Sequence, residues 1–389
     1  MIINYLIKPG ELILKGGNRK RFEIVLRRNL ASLLKGSGAH ITTSNGRFYV
    51  RCPEESVQKT EESLDRLIGI AGWAKTRCVE KTLEEVISAC VEEGKQLFEM
   101  GFSSFKIEGR RTDKSFPFDS YKIRCLAGEA VAKEVPGLKV NVKKPDGIIE
   151  VEIREKAYIY SDARKGRRGL PVGTAGRGLL LISGGIDSPV AGYMMACRGM
   201  SLEAIYFHAF PYTSDKARDK AVKLAEIVGL YSMGIRLYVI NFTPVQQKIK
   251  ESAPEEWRTV LLRMAMMECA EKLAVSRKLK CLISGESLSQ VASQTIENIS
   301  CTQSRIKLPI LRPLIGMNKE EITSLAVNIR TYQTSILPYE DCCVLFTPPH
   351  PVLRGDPTEA GVLYDELDIE PLISDALKKA EVEKCSIPD

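Results

Sequence analysis

At 389 residues, with 44% hydrophobic and 27% charged residues and no run of about 18 apolar residues, the chain reads as about two or three globular domains with no membrane span. Its 11 cysteines include no C-x-x-C pair and it has three histidines, so zinc-finger and zinc-ribbon patterns are excluded; scattered thiols without a leader-like N-terminus point to a reducing cytoplasm. The net charge of +7 is uneven: residues 1–175 carry 32 Lys and Arg against 23 Asp and Glu, net +9, and residues 176–389 carry 24 against 26, net −2, which suits a polyanion on the N-terminal half or, more plainly, solubility.

In chain order, residues 2–7 read as a strand and 19–35 as a helix, because Phe22, Val25, Leu26, Leu30, Leu33 and Leu34 recur at helical spacing. A strand at 47–51 and a helix at 54–68 complete a small α+β unit that ends near the glycines at 69–72. The second unit has helices at 83–100 and 121–134 and strands at 104–109, 139–142 and 148–153. It carries a basic loop, Gly109 to Pro117, and ends in the run Arg164-Lys165-Gly166-Arg167-Arg168 before a glycine-rich linker. From 178 the pattern alternates: strands at 179–182, 203–208, 235–242 and 281–284, with helices at 188–198, 214–228 and 256–278. That is the rhythm of a doubly wound parallel sheet, whose ligands sit beyond the carboxyl ends of the strands. The candidate site edges are therefore 183–187, 206–208 and 284–287.

The chemistry concentrates at Leu-Leu-Leu-Ile-Ser-Gly-Gly-Ile-Asp-Ser-Pro, residues 179–189. Four apolar residues make a strand buried on both faces, and Gly184 and Gly185 let the following turn bring backbone N–H groups to a ligand. Ser183 and Ser188 add hydroxyl donors, Asp187 or Ser188 can cap the next helix, and Pro189 suits its first turn. An N–H-lined turn at a helix N-terminus is an anion site, most naturally for phosphate. It is neither a Walker A loop nor a dinucleotide fingerprint. Arg263 stands on an otherwise apolar helix beside Leu261, Leu262 and Met264, where it needs either a phosphate or a salt bridge. Tyr206 and Phe207 by their side chains alone read as an ordinary buried strand.

Ser183-Gly-Gly-x-Asp-Ser188 after a buried strand resembles the PP-loop of the ATP pyrophosphatases, which split ATP between the α and β phosphates. Further motifs extend the resemblance along nearly the whole chain: Gly10-Glu11 with Leu14-Lys15-Gly16 and Asn18-Arg19, Gly285-Glu286-Ser287-Leu288 with Gln290 to Gln294, and Tyr339-Glu340-Asp341-Cys342-Cys343 before Phe346-Thr347-Pro348. Together they are similar to the ThiI family of tRNA 4-thiouridine synthetases, in the form that lacks a C-terminal rhodanese-like domain. The resemblance implies an N-terminal ferredoxin-like domain at 1–72, an α/β THUMP tRNA-binding domain at 73–168, a linker at 169–177, and a doubly wound parallel-sheet PP-loop ATP pyrophosphatase domain at 178–389 that ends in an acidic tail from Asp356.

It also implies ATP-dependent sulfur transfer to uridine 8 of tRNA, with ATP and Mg²⁺ as cofactors. ATP contacts carried over from the family fall on Leu181, Ile182, Tyr206, Phe207, Arg263, Gly285 and Gln294, to which the loop adds Ser183, Gly184, Gly185 and Ser188. The main chain at Tyr206 and Phe207 would meet adenine, and Asp187 would hold Mg²⁺ or orient the loop. Cys343 aligns with the sulfur-carrying cysteine, with Cys342 as runner-up or resolving thiol; the carboxylates Glu340 and Asp341 beside them disfavour a thiolate unless basic groups compensate. Cys385, in the tail, matches no motif.

The expected partners are tRNA, a cysteine desulfurase or another persulfide donor, and a second copy of the chain. A thiamine-pathway carrier protein is a further sulfur acceptor in the family. Phosphate contacts for tRNA are expected from Arg110, Arg111, Lys114, Lys122, Lys143, Lys144, Arg164, Lys165, Arg167 and Arg168. Two other readings weigh the same residues differently: a PP-loop ligase acting on a small molecule, or an RNA-binding module with a vestigial nucleotide loop.

Overall fold

The computed structural model describes residues 1–339 and 348–385, and its chain divides into two compact units, Met1–Gly169 and Leu170–Asp389. In the first unit β1 (Ile2–Pro9), α1 (Arg19–Leu33), β2 (His40–Ser44), β3 (Arg47–Pro53) and α2 (Val57–Arg66) lead into β4 (Ile70–Val79). Then come α3 (Leu83–Glu99), β5 (Ser104–Arg111), α4 (Ser120–Glu134), β6 (Lys139–Val140), β7 (Gly147–Ile153), β8 (Ala157–Tyr160) and β9 (Ala163–Lys165). Helix starts follow local chemistry: Thr82 Oγ1 accepts from the Glu85 N–H ahead of α3, and Asp119 Oδ1 accepts from Lys122 N–H ahead of α4.

One strand joins the two halves of this unit. Residues 70–76 of β4 pair antiparallel with β1, and Arg77–Val79 pair with β8, so the sheet runs β2-β3-β1-β4-β8-β7-β5-β6. The expected 72/73 boundary falls inside this strand. β9 adds to β4 through Gly72↔Lys165 and Trp73↔Arg164, which stations the basic run at 164–168 against it. The core between α3, α4 and the sheet is built on Val86, Phe105, Ile107, Val131, Ile149 and Val151.

In the second unit β10 (Arg177–Leu181), α5 (Asp187–Cys197), β11 (Ser201–His208), α6 (Asp215–Ser232) and β12 (Ile235–Asn241) alternate as expected. They are followed by α7 (Thr243–Ser252), α8 (Arg258–Ser276), β13 (Leu282–Ile283), α9 (Ile296–Gln303), β14 (Ile310–Leu311), α10 (Lys319–Asn328), α11 (Tyr332–Ser335), α12 (Pro357–Glu366), α13 (Glu370–Lys378) and β15 (Glu381–Cys385). The sheet order is β14-β13-β10-β11-β12-β15, parallel except for β15. Leu179 and Leu180 in β10 are fully buried, the mark of a strand covered on both faces. From β10 the chain steps outward through β11 and β12, then returns to lay β13 on the other side. The strand order therefore reverses between β10 and β13, and a crevice opens beyond their carboxyl ends.

Two segments differ from their reading as sequence. The glycine-rich stretch before β10 is packed on its own unit: Leu170 and Val172 are buried, and the Gly173 and Ala175 N–H groups both donate to Gly199 O. The acidic tail is a structured part of the domain. Ala360, Tyr364, Leu367, Ile369, Ile373 and Ala376 are buried under the acidic outer faces of α12 and α13, and β15 pairs with β12 through Ile235↔Cys385. Its acidity is matched by Arg218, which binds Glu381 at 2.8 Å and Glu383 at 2.7 Å.

Candidate functional site

The crevice at the switch point is a cleft of about 290 Å³. Leu181, Ile182, Ser183, Gly185, Asp187, Ser188, Tyr206, Phe207, Arg263, Gly285 and Gln294 all line it, so eleven of the twelve sequence-selected ATP and Asp187 positions meet in one place. The twelfth, Gly184, is buried within the same turn. Ser284 and Glu286 also line it, within the expected 284–287 edge but without an individual role assigned, and Met266 and Met267 were not expected there.

The loop's geometry is fixed by its own serines. Ser183 N–H donates to Ser188 Oγ at 2.9 Å, the two hydroxyls lie 3.1 Å apart, and Gly185 N–H donates to Ser183 Oγ at 3.2 Å. Ser335 Oγ donates to Gly185 O at 3.2 Å from outside. Neither Asp187 nor Ser188 caps α5; Ile186 occupies that position without a side-chain bond, and the first-turn N–H groups carry no such cap. Asp187 is turned away: its Oδ1 accepts from Lys319 Nζ at 2.6 Å and its Oδ2 from Gln290 Nε2 at 2.9 Å. Gly285 packs against this helix start. A Cβ there would stand 2.7 Å from Ser188 N and 2.8 Å from its Cα, so no side chain fits.

On the opposite wall the ladder between β10 and β11 ends at Leu181↔Ile205, with Ile182 N–H donating to Ile205 O. β11 continues to His208, whose carbonyl accepts from Phe242 N–H on the β12 side. Because main-chain groups alternate along a parallel strand, Phe207 presents its N–H and C=O toward the open β10 edge, while those of Tyr206 face β12. Both side chains are buried. A strand edge offering one donor and one acceptor is suited to a flat heterocycle.

Arg263 resolves as a salt bridge: its Nη2 pairs with Glu286 Oε1, and Arg312 Nε pairs with Oε2 at 2.6 Å. Burial pushes the Glu286 carboxyl up, but the Arg263 and Arg312 charges hold it below the ordinary carboxylate range, so it is ionised. Gln294 Oε1 accepts from Ser287 N–H at 3.3 Å and holds the 287–294 turn. Gln290 and Glu286 stood in the quoted motifs without a role. Lys319 had one signal, a cation in the first turn of α10 where Glu320 and Glu321 are the favoured charge.

Among the described residues no group of three or more His, Cys, Asp or Glu could hold a metal by itself. Of the two carboxylates that line the cleft, Glu286 is taken by Arg263 and Arg312, and Asp187 alone would be left to an ion, which fits Mg²⁺ carried mainly by phosphate oxygens, the usual way that ion is bound. Cys342 and Cys343 lie outside the described residues. The described residues on either side of their segment are held by side chains: Lys220 Nζ donates to Leu337 O and Tyr339 O, and Asn298 Nδ2 donates to Val352 O at 2.7 Å. Cys385 is buried in β15, and burial, with Glu226 and Glu383, pushes its thiol up to about 11.

The basic residues of the first unit divide by role. Arg111 Nη1 donates to Phe116 O at 2.8 Å and braces the 109–117 loop, whose Phe116 is in the core. Arg164 lies over the Trp73 ring at 4.8 Å and pairs with Glu61 and Asp162, and Arg167 Nε donates to Asp65 O at 2.8 Å. Arg110, Lys114, Lys122, Lys143, Lys144, Lys165 and Arg168 are exposed. No helix among the described residues is long and apolar enough to cross a membrane.

Comparison with known proteins agrees with this fold. The family model described as "Thiamine biosynthesis protein (ThiI)" matches residues 173–369, the THUMP domain model residues 80–162, and the ThiI ferredoxin-like domain model residues 4–74. A probable tRNA sulfurtransferase of Treponema pallidum is 45% identical over 377 residues, covering 96% of this chain and 94% of its own length. One from Caldanaerobacter subterraneus is 44% identical over 369 residues, covering 95% and 96%. Among solved structures, a 4-thiouridine synthetase in complex with RNA and ATP superposes with a TM-score of 0.91 at 33% identity, covering 99% of this chain and 100% of that one. Domain composition, near full-length identity and a shared three-dimensional structure lead to one conclusion: the chain belongs to the ThiI family.

Proposed function

We propose that the chain is an ATP-dependent tRNA sulfurtransferase that converts uridine 8 of tRNA to 4-thiouridine. The observation that carries this reading is the cleft at the strand switch point. It combines the uncapped first turn of α5 for phosphates, a main-chain edge for adenine at Phe207, and a cation beside them at Arg263. The related 4-thiouridine synthetase was solved with ATP and RNA bound, and the curated relatives carry the name tRNA sulfurtransferase.

ATP and sulfur are both needed because the uridine O4 is a poor leaving group. O4 attacks the α phosphorus, the bond to the β phosphate breaks, and pyrophosphate leaves with the charge. The first-turn N–H groups of α5 and Arg263 stabilise that charge as it develops. Mg²⁺, when bound at Asp187 and the phosphates, supplies further charge neutralisation. Lys319 Nζ, held 2.6 Å from Asp187 Oδ1, keeps that carboxylate in place beside the loop. The outer sulfur of a Cys343 persulfide attacks C4 of the adenylated base and AMP departs; the Cys342 thiolate then attacks Cys343 Sγ, the S–S bond breaks, 4-thiouridine is released, and the Cys342–Cys343 disulfide left behind is reduced by an external thiol before the next turnover. The persulfide comes from a cysteine desulfurase or another donor, and a thiamine-pathway carrier is a second acceptor in keeping with the family's description. The exposed basic residues of the first unit hold tRNA through its phosphates, so affinity falls steeply with salt.

Unmodified tRNA, ATP and a persulfide donor incubated with the protein should develop the near-ultraviolet absorbance of a thiolated pyrimidine. Cys343→Ser should abolish it and leave ATP binding intact. No thiolation by the reduced wild-type protein with a competent donor would remove the assignment.

A further inference from the structure

Glu286 sits just past β13 with its side chain 3% exposed, and it serves two arginines at once. Arg263 takes Oε1; Arg312 Nε takes Oε2, which also accepts from Ser284 Oγ at 2.8 Å. Arg312 is fixed from the other side by Gln303 Oε1 at 3.0 Å. Arg263 and Glu286 line the cleft, whereas Arg312 lies behind them.

Two guanidinium groups against one carboxylate leave one positive charge over. The neighbouring Asp187–Lys319 pair is neutral and does not absorb it. Arg263 Nε and Arg312 Nη2 are both buried with no acceptor among the described residues. Surplus charge and orphan donors in a largely dry place are costly without a compensating anion, and the phosphate loop is the adjoining surface.

We infer that Arg312 is a positioning residue for the nucleotide: by engaging Oε2 of Glu286 it keeps Arg263 from being fully neutralised and so provides the surplus positive charge that the ATP phosphates meet. This rests on the ATP reading of the cleft. Without Arg312, Glu286 can turn both oxygens on Arg263 as a bidentate pair, cancelling the charge at the wall without removing any residue that touches the ligand.

The test is calorimetric binding of ATP and of adenosine to the wild-type protein, Arg312→Gln, Arg312→Lys and the double variant Glu286→Gln/Arg312→Gln. Arg312→Gln should weaken ATP by about tenfold or more and leave adenosine unchanged, because only the phosphates sense the charge. Arg312→Lys keeps the charge and should stay within about threefold of wild type. The double variant frees Arg263 again and should recover most of the ATP affinity. Wild-type ATP affinity in Arg312→Gln, or equal losses of ATP and adenosine, would overturn the inference. Where Arg312→Gln does not fold, the double variant decides alone: near wild-type ATP affinity supports the charge balance, and a tenfold loss confined to ATP overturns it. A wild-type protein that binds adenosine and ATP equally contradicts the phosphate reading of the cleft itself.

Discussion

The two ends of the C-terminal sheet hold similar clusters with different outlets for their charge. At the start of the strands, Glu203 is met by Arg177, Arg236 and Arg277 and by Tyr238 OH at 3.0 Å. There Glu203 is 7% exposed, but its arginines are 37–47% exposed, so water screens the excess. At the carboxyl ends Glu286 meets Arg263 and Arg312, which are only 21% and 12% exposed. One cluster therefore ties strand and helix ends together, and the other presents charge to a cleft. The difference lies in solvent access and position in the sheet, not in residue type.

The largest effect should come from crowding the cleft end. Gly285→Ala forces a methyl group against Ser188 N and displaces the start of α5, and ATP-dependent thiolation should fall about a hundredfold. Thiolation at the wild-type rate would mean that the contact is not kept during turnover. At the opposite end, Glu203→Gln should lower stability by about 1–3 kcal/mol in chemical denaturation, with ATP affinity within about twofold of wild type. A selective loss of ATP affinity there would erase the contrast between the two ends.

Acid should affect both clusters in the same direction. Burial pushes Glu203 and Glu286 up, but the hydrogen bonds and charges of their partners hold both below the ordinary value of 4.5. A depressed carboxyl contributes stability that is complete above its unfolded pKa and lost as pH falls through its folded pKa. These two carboxylates should therefore leave the unfolding free energy flat from pH 8 to about 5, with their contribution declining only below about 4.5. Replacing both by Gln should remove that acid-side loss; an unchanged acid profile would assign it elsewhere. The smallest effect belongs to Cys385→Ser. With a buried thiol held mostly protonated at neutral pH, Cys385 should alkylate slowly, and its serine variant should thiolate tRNA within about twofold of wild type.

Local sequence carried much of the site and little of its wiring. The apolar run at 179–182, the Gly-Gly turn and Pro189 act within a few residues, so strand, turn and helix start were legible together. Arg263 announced a need for a partner but could not name Glu286, because the two residues lie on separate elements that only the closed sheet brings together. Lys319 reaches Asp187 by the same route. Helix-capping logic pointed to Asp187 as a cap, yet the ion pair with Lys319 wins that carboxylate. The acidity beyond Asp356 hid the helical spacing of Ala360, Tyr364 and Leu367, since net charge describes the outer face and periodicity the buried one. Among the basic residues, composition could not separate Arg111, Arg164 and Arg167, which brace the first unit, from the exposed lysines around them.

The most direct measurement is the product balance of a single turnover with unmodified tRNA, limiting ATP and a persulfide donor, following AMP, pyrophosphate and 4-thiouridine together. One AMP and one pyrophosphate for each thiolated uridine are expected, because cleavage is at the α phosphate and AMP leaves when sulfur enters. Formation of ADP and phosphate in step with thiolation, or thiolation without ATP, would contradict an adenylating cleft.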